Sequence, residues 1–112
     1  YDPVGGSYTA AATRSVAWSG RYLVVGFAAG EIPSVPLNLP LLKGYSIVGV
    51  YWGGFVQREP DAHAANMKQL TDCIATGRLA PLVSARYPLS QAVDALFAMM
   101  RREVAGKIVV VP

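Results

Sequence analysis

The side chains that most often do chemistry are few in this sequence and stand apart. There is one histidine, His63, and one cysteine, Cys73. A zinc site needs three or four His, Cys or carboxylate ligands brought together, and nucleophilic catalysis needs a nucleophile beside a base. His63 lies among alanines near the start of a predicted helix, and Cys73 follows on the same helix at a core-type spacing. No metal constellation is expected, and no catalytic side chain is assigned. Asp61, Asp72 and Asp94 fall on polar helix faces and Glu31 and Glu59 in loops, the placement of solvated carboxylates. A G-x-S-x-G nucleophile elbow is absent.

The glycines are the informative residues. Two apolar runs end alike, in "VVGF" (24–27) and "VGVYWGG" (48–54), and "DPVGG" (2–6) has the form of a third such ending. In an open α/β sheet, ligands lie in the crevice beyond the carboxyl ends of the strands. Glycine there lets a flat ligand approach the backbone, while Val25, Phe27, Val50 and Trp52 would exclude water. A wall of this kind offers no cation and no helix N-terminus to a phosphate. It suits an uncharged heteroaromatic ring held by backbone carbonyl and amide groups, and on spacing alone ordinary strand-to-loop turns remain the rival reading.

The elements that must position these endings follow from periodicity and punctuation. "SYTAAATRSVAW" reads as a helix with Ser7 as N-cap, Tyr8, Ala11, Ala12 and Val16 on one face, and Gly20 as a left-handed C-terminal residue. "RYLVVGF" and "YSIVGVYWGG" read as strands buried on both faces, the parallel-sheet pattern. Between them, Pro33, Pro36 and Pro40 keep a crossover irregular before a short helix closing at Gly44. Further on, a helix carries Met67, Leu70 and Ile74 and closes at Gly77. "APLVSARYPL" is a short extended piece. A second amphipathic helix has Val93, Leu96, Phe97 and Met100 on one stripe. Arg101 and Arg102 near its end suit the negative pole of the helix dipole, and "KIVVVP" is a final strand. Alternating helices and apolar strands give an α/β class with a parallel sheet.

Composition narrows the function classes. At 112 residues the chain has the size of one domain, yet only 15% of it is charged, against about 25% in an average globular domain. Its mean hydropathy is +0.33. Gly, Pro or charge interrupts every apolar run, so no membrane span is expected, and nothing reads as a signal peptide. The net charge of +3 comes from scattered basic residues, with one adjacent pair, so no nucleic-acid footprint is read. A lone cysteine fits a reducing, cytoplasmic setting.

Taken in order, "YDPVGG", "GRYLVVGFAAGEIP", "SIVGVYWG" and "AGKIVV" resemble the carboxyl-terminal third of the zinc-free quinone oxidoreductases of the medium-chain dehydrogenase/reductase superfamily. The resemblance covers essentially the whole chain. It implies the carboxyl-terminal half of a Rossmann-type doubly wound parallel sheet at residues 1–53, then a returning segment of the catalytic domain at 54–112. The G-x-G-x-x-G fingerprint lies upstream in that family and is not in this sequence. What the resemblance carries over is the nicotinamide end of the site: Val4 and Gly5, then Val25, Gly26 and Phe27, then Val50 and Trp52, as cofactor-binding residues.

It further implies NADPH as cofactor, with NADH the alternative, and a quinone or activated enone as hydride acceptor. It also implies a homodimer paired through the strand from Ser46 to Trp52, and a final strand "KIVVVP" joining a sheet whose other strands lie elsewhere. The expectation is therefore a fragment of an NADPH-dependent oxidoreductase, inactive alone. Two other readings stay open: a stand-alone dimerising interaction module, and part of an enoyl-thioester reductase.

Overall fold

The computed structural model describes residues 1–112, which divide into two compact units, Tyr1–His63 and Ala64–Pro112. The division falls within one helix.

In the first unit, α1 (Tyr8–Ser15) leads to β1 (Arg21–Val24), α2 (Asn38–Lys43), β2 (Ser46–Gly49) and α3 (Trp52–Arg58). β1 and β2 pair in parallel, with Arg21 opposite Ser46 and Val24 opposite Gly49. The opening stub adds a parallel bridge from Asp2 to Val24. Three chain segments thus present their carboxyl ends side by side, as the repeated glycine endings predict.

Several local expectations change. Ser7 already has helical dihedrals and makes no side-chain cap bond; the Thr9 amide instead donates to the Gly6 carbonyl at 3.2 Å. The buried residues of α1 are Thr9 and Thr13, while Tyr8 is exposed. Thr9 is turned inward because its hydroxyl meets Tyr22 on β1 and Asp2 in the opening stub, and the Thr13 hydroxyl donates to the Thr9 carbonyl at 2.8 Å. The left-handed residue after α1 is Ser19, not Gly20. Gly20 is needed for space, since a Cβ there would lie 2.8 Å from both the Ala17 oxygen and Val16 Cγ1. Gly44, at φ +59, does close α2 as expected, and the Trp18 ring lies where its Cβ would be.

The two strands are not buried on both faces. Tyr22 is buried and Leu23 and Val24 half-buried, but every residue of β2 is exposed. β2 is the edge of this two-stranded sheet, with β1 as its only neighbour. The second apolar run also stops being strand at Gly49, and Trp52, expected in the strand, opens α3.

α4 (Pro60–Ala75) carries the chain from the first unit into the second, where β3 (Val83–Pro88), α5 (Ala92–Met100) and β4 (Lys107–Val111) follow. Gly77, at φ +70, stands just beyond α4. β3 and β4 pair in parallel, so this segment is a βαβ unit with α5 as its crossover. "KIVVVP" accordingly has its partner strand within this chain, a correction to the expectation that its sheet lay elsewhere. α5 buries Ala95 and Ala98 and leaves Val93, Leu96, Phe97 and Met100 exposed. Small side chains bring a helix close to its neighbours, so the large apolar stripe faces outward. Arg101 makes a forked ion pair with Glu103, at 2.8 and 2.9 Å. No helix is long and apolar enough to cross a membrane.

Candidate functional site

All seven expected ring-binding residues belong to the first unit. The amides of Val25 and Gly26 both donate to the Asp2 carbonyl, at 3.0 and 3.3 Å, and Ala28 and Ala29 donate to Pro3 and Val4. These bonds lash the loop after β1 to the opening stub. On the other side the Val50 amide donates to the Val24 carbonyl at 2.8 Å, continuing the ladder one residue past β2. The carbonyls of Val25, Gly26 and Val50 and the amide of Phe27 take no part in these bonds. The Trp52 amide is one of the first of α3, which have no acceptor within the helix. A carboxamide has one acceptor oxygen and a two-proton donor; acceptors and donors of the matching kind stand at these strand ends.

The glycines divide by role. Gly5 is left-handed at φ +67, and a Cβ there would lie 2.8 Å from Phe27 Cδ1. It therefore sets where the Phe27 ring rests. Gly26 does not face open space: its Cβ would meet the Pro3 oxygen at 3.3 Å. Glycine at 26 serves the packing of the stub on β1 rather than the approach of a ligand, and Gly49, at the end of β2, has nothing within 4 Å. The side chains of Val4, Phe27, Val50 and Trp52 are 37–49% exposed.

A pocket of about 200 Å³ lies beside this wall, and of the seven residues only Phe27 lines it. Its polar side is a cluster that the sequence reading missed. The Asp2 carboxylate accepts from the amides of Val4 and Gly5 at 2.8 and 2.9 Å and from the hydroxyls of Tyr22 and Thr9. Two signals were present: Asp before Pro3 is a turn former, and a tyrosine in a buried strand needs a partner for its hydroxyl.

The Tyr22 hydroxyl and then the Gly5 and Val4 amides hold the Asp2 carboxyl at about 2. Burial and the Asp2 bond push the Tyr22 phenol above its usual range. An acid depressed on folding contributes stability in full above its unfolded value of 3.8 and loses it as pH falls towards about 2. Tyr22, being raised, contributes below its ordinary value and loses that contribution as pH climbs above it. Asp2→Asn should therefore flatten the fall in melting temperature between pH 4 and pH 2 relative to the unsubstituted protein. Parallel slopes for the two proteins in thermal melts across that range would refute the role given to Asp2.

No three His, Cys, Asp or Glu side chains come together, and the free Cys73 belongs to α4.

Comparison with known proteins bears on the family and the fold. The sequence profile of a zinc-binding dehydrogenase family matches residues 1–110. The chain is 37% identical over 107 residues to quinone oxidoreductase-like protein 2 of Bos taurus, covering 96% of this chain and 31% of that protein. It is 33% identical over 110 residues to a homolog of that protein from Nematostella vectensis, covering 97% and 30%. Among solved structures, mycobacterial Rv1454c complexed with NADPH superposes with a TM-score of 0.83 at 26% identity, covering all of this chain and 34% of that one. The chain thus spans about a third of the length of the proteins it matches.

Proposed function

The chain belongs to the zinc-binding dehydrogenase family, and from that premise we propose that it is the carboxyl-terminal portion of a cytoplasmic, NADPH-dependent oxidoreductase that transfers hydride to a quinone or an activated enone. The observation that carries this reading is the row of strand ends at Asp2, Val24 and Gly49, with unengaged carbonyls at Val25, Gly26 and Val50 beside the Phe27 amide. The names of the matched quinone oxidoreductase-like proteins support the substrate class. NADPH bound to Rv1454c supports the cofactor.

In this reading Val4, Gly5, Val25, Gly26, Phe27, Val50 and Trp52 form the nicotinamide wall. The Val25, Gly26 and Val50 carbonyls and the Phe27 and Trp52 amides orient the carboxamide, and the side chains of Val4, Phe27, Val50 and Trp52 keep water out. The nicotinamide, when bound, supplies the hydride. The part played by these residues is positioning, which in general is worth roughly 7–11 kcal/mol of barrier, and no side chain here has to act as acid or base. Residues 1–53 are the nucleotide-binding portion and 54–112 the returning catalytic segment. A second copy covers the exposed edge of β2.

The test is the mass of the native polypeptide, followed by assay of that whole protein with NADPH, quinones and enoyl thioesters side by side. The expected result is a mass about three times 11.9 kDa, in keeping with the 31% coverage of the bovine relative, and NADPH oxidation driven by quinones. A native mass near 11.9 kDa would sink the catalytic reading and favour the stand-alone dimerising module. Turnover confined to enoyl thioesters would replace the acceptor class and keep the cofactor.

A further inference from the structure

Just past the open end of β2 the chain builds an aromatic corner. Trp52 opens α3, its indole 5.6 Å from the Phe55 ring at an interplanar angle of 35°. The imidazole of His63, from the start of α4, stands almost perpendicular to that indole, with centroids 5.2 Å apart at 81°. Edge-to-face geometry at this separation is the favourable arrangement for such a pair. His63 is half-buried, and its Nδ1 is buried without a hydrogen-bond partner. A buried imidazole nitrogen with nothing to bond is costly, so hydrogen bonding at that nitrogen does not account for where the ring sits. Its contact with Trp52 does. Trp52 itself remains 49% exposed: one part of the indole is held and the rest faces outward.

The corner has little backbone support of its own. α3 spans seven residues and begins with Trp52, Gly53 and Gly54, and Tyr51 makes no side-chain cap bond. Two glycines in the first turn weaken a helix by roughly 1 kcal/mol each relative to alanine. They are tolerated because the Tyr51 ring folds over them; a Cβ at Gly54 would lie 2.6 Å from it. Side-chain contacts, rather than helix propensity, must then fix the direction in which residues 50–52 leave the strand.

We propose that His63 is a positioning residue: by clamping the Trp52 indole it fixes the Val50–Trp52 corner of the nicotinamide wall. This rests on the reading of the site given above. The test uses the whole native protein with three substitutions. His63→Ala removes the clamp, His63→Leu keeps apolar bulk without an aromatic ring, and His63→Phe restores a ring. The expected result is a rise in the NADPH KM of about tenfold for the Ala and Leu variants with kcat nearly unchanged, and recovery to within about twofold for Phe. In a Trp18→Phe background, where Trp52 is the only tryptophan in this segment, the indole should become more accessible to acrylamide quenching in the Ala and Leu variants and less so again in Phe. Any tryptophan elsewhere in the native protein is replaced likewise.

A His63→Leu variant matching the unsubstituted protein in both measurements would reduce His63 to packing and overturn the proposal. So would a KM unmoved in all three. If the unsubstituted protein neither binds nor oxidises NADPH, the reading of the site fails and the proposed role falls with it. The quenching series then separately reports whether His63 holds the indole.

Discussion

Gly5→Ala should raise the NADPH KM of the whole protein by at least about tenfold, whereas Gly30→Ala should leave it nearly unchanged. Both glycines are left-handed, at φ +67 and φ +88, so both substitutions bear a backbone cost of roughly 1–2 kcal/mol. They differ in what the added methyl meets. At Gly30 there is nothing within 4 Å, while at Gly5 the new Cβ would lie 2.8 Å from Phe27 Cδ1 and 3.4 Å from the Glu31 oxygen. The Phe27 ring has to move, and with it the apolar wall at the end of β1. Displacements of about 1 Å at a reacting centre can cost a hundredfold in rate, so an effect well above the shared backbone cost is expected. Melting temperatures measured beside the kinetics separate the two contributions. Equal losses in KM for both variants would mean that Phe27 does not face the ring.

What was legible in the sequence is what local chemistry decides. Apolar runs broken by glycine gave β1, β2 and their parallel sense, and "DPVGG" pointed to the stub that bridges Val24. Gly44 and Gly77 marked the ends of α2 and α4 because a left-handed residue there has few alternatives. What was not legible depends on partners distant in the chain. Thr9 turns inward only because Tyr22 and Asp2 wait there. Gly26 is glycine because Pro3 crosses it, a contact that no window around residue 26 contains. By its neighbours Trp52 reads as strand, because "VGVYWGG" is apolar and glycine is a poor helix residue, yet the Tyr51 ring lies over Gly54 and the helix starts at Trp52. α5 carries two apolar faces, one of alanines and one of large side chains. Periodicity favours the larger, while close packing in the βαβ unit selects the smaller.

The same distinction between local pattern and partner governs β2. Its side chains are β-branched and apolar at Ile47 and Val48, 39% and 37% exposed, and its outer edge has no strand beside it. An uncovered edge of this kind pairs with any strand available; the proposed second copy, related by a two-fold axis, would cover both edges at once. In such a pairing the strands run antiparallel, and a residue near the middle of a four-residue strand lies close to its own twin. Val48→Lys therefore brings two ammonium groups together in the centre of the contact, where like charges directly opposite are destabilising, and strips an apolar pair from each side. The expected outcome for the whole protein is dissociation to monomer in sedimentation velocity, with the dimer weakened by roughly a hundredfold or more. Val48→Thr keeps the β-branch without the charge, so it should still sediment as a dimer. Val48 pairs with Leu23 of β1 through the backbone, and strand side chains stand out of the sheet plane, so the charge does not have to break pairing with β1. A Val48→Lys protein that sediments as the unsubstituted one would place the interface elsewhere and leave the β2 edge to be covered by another part of the same polypeptide.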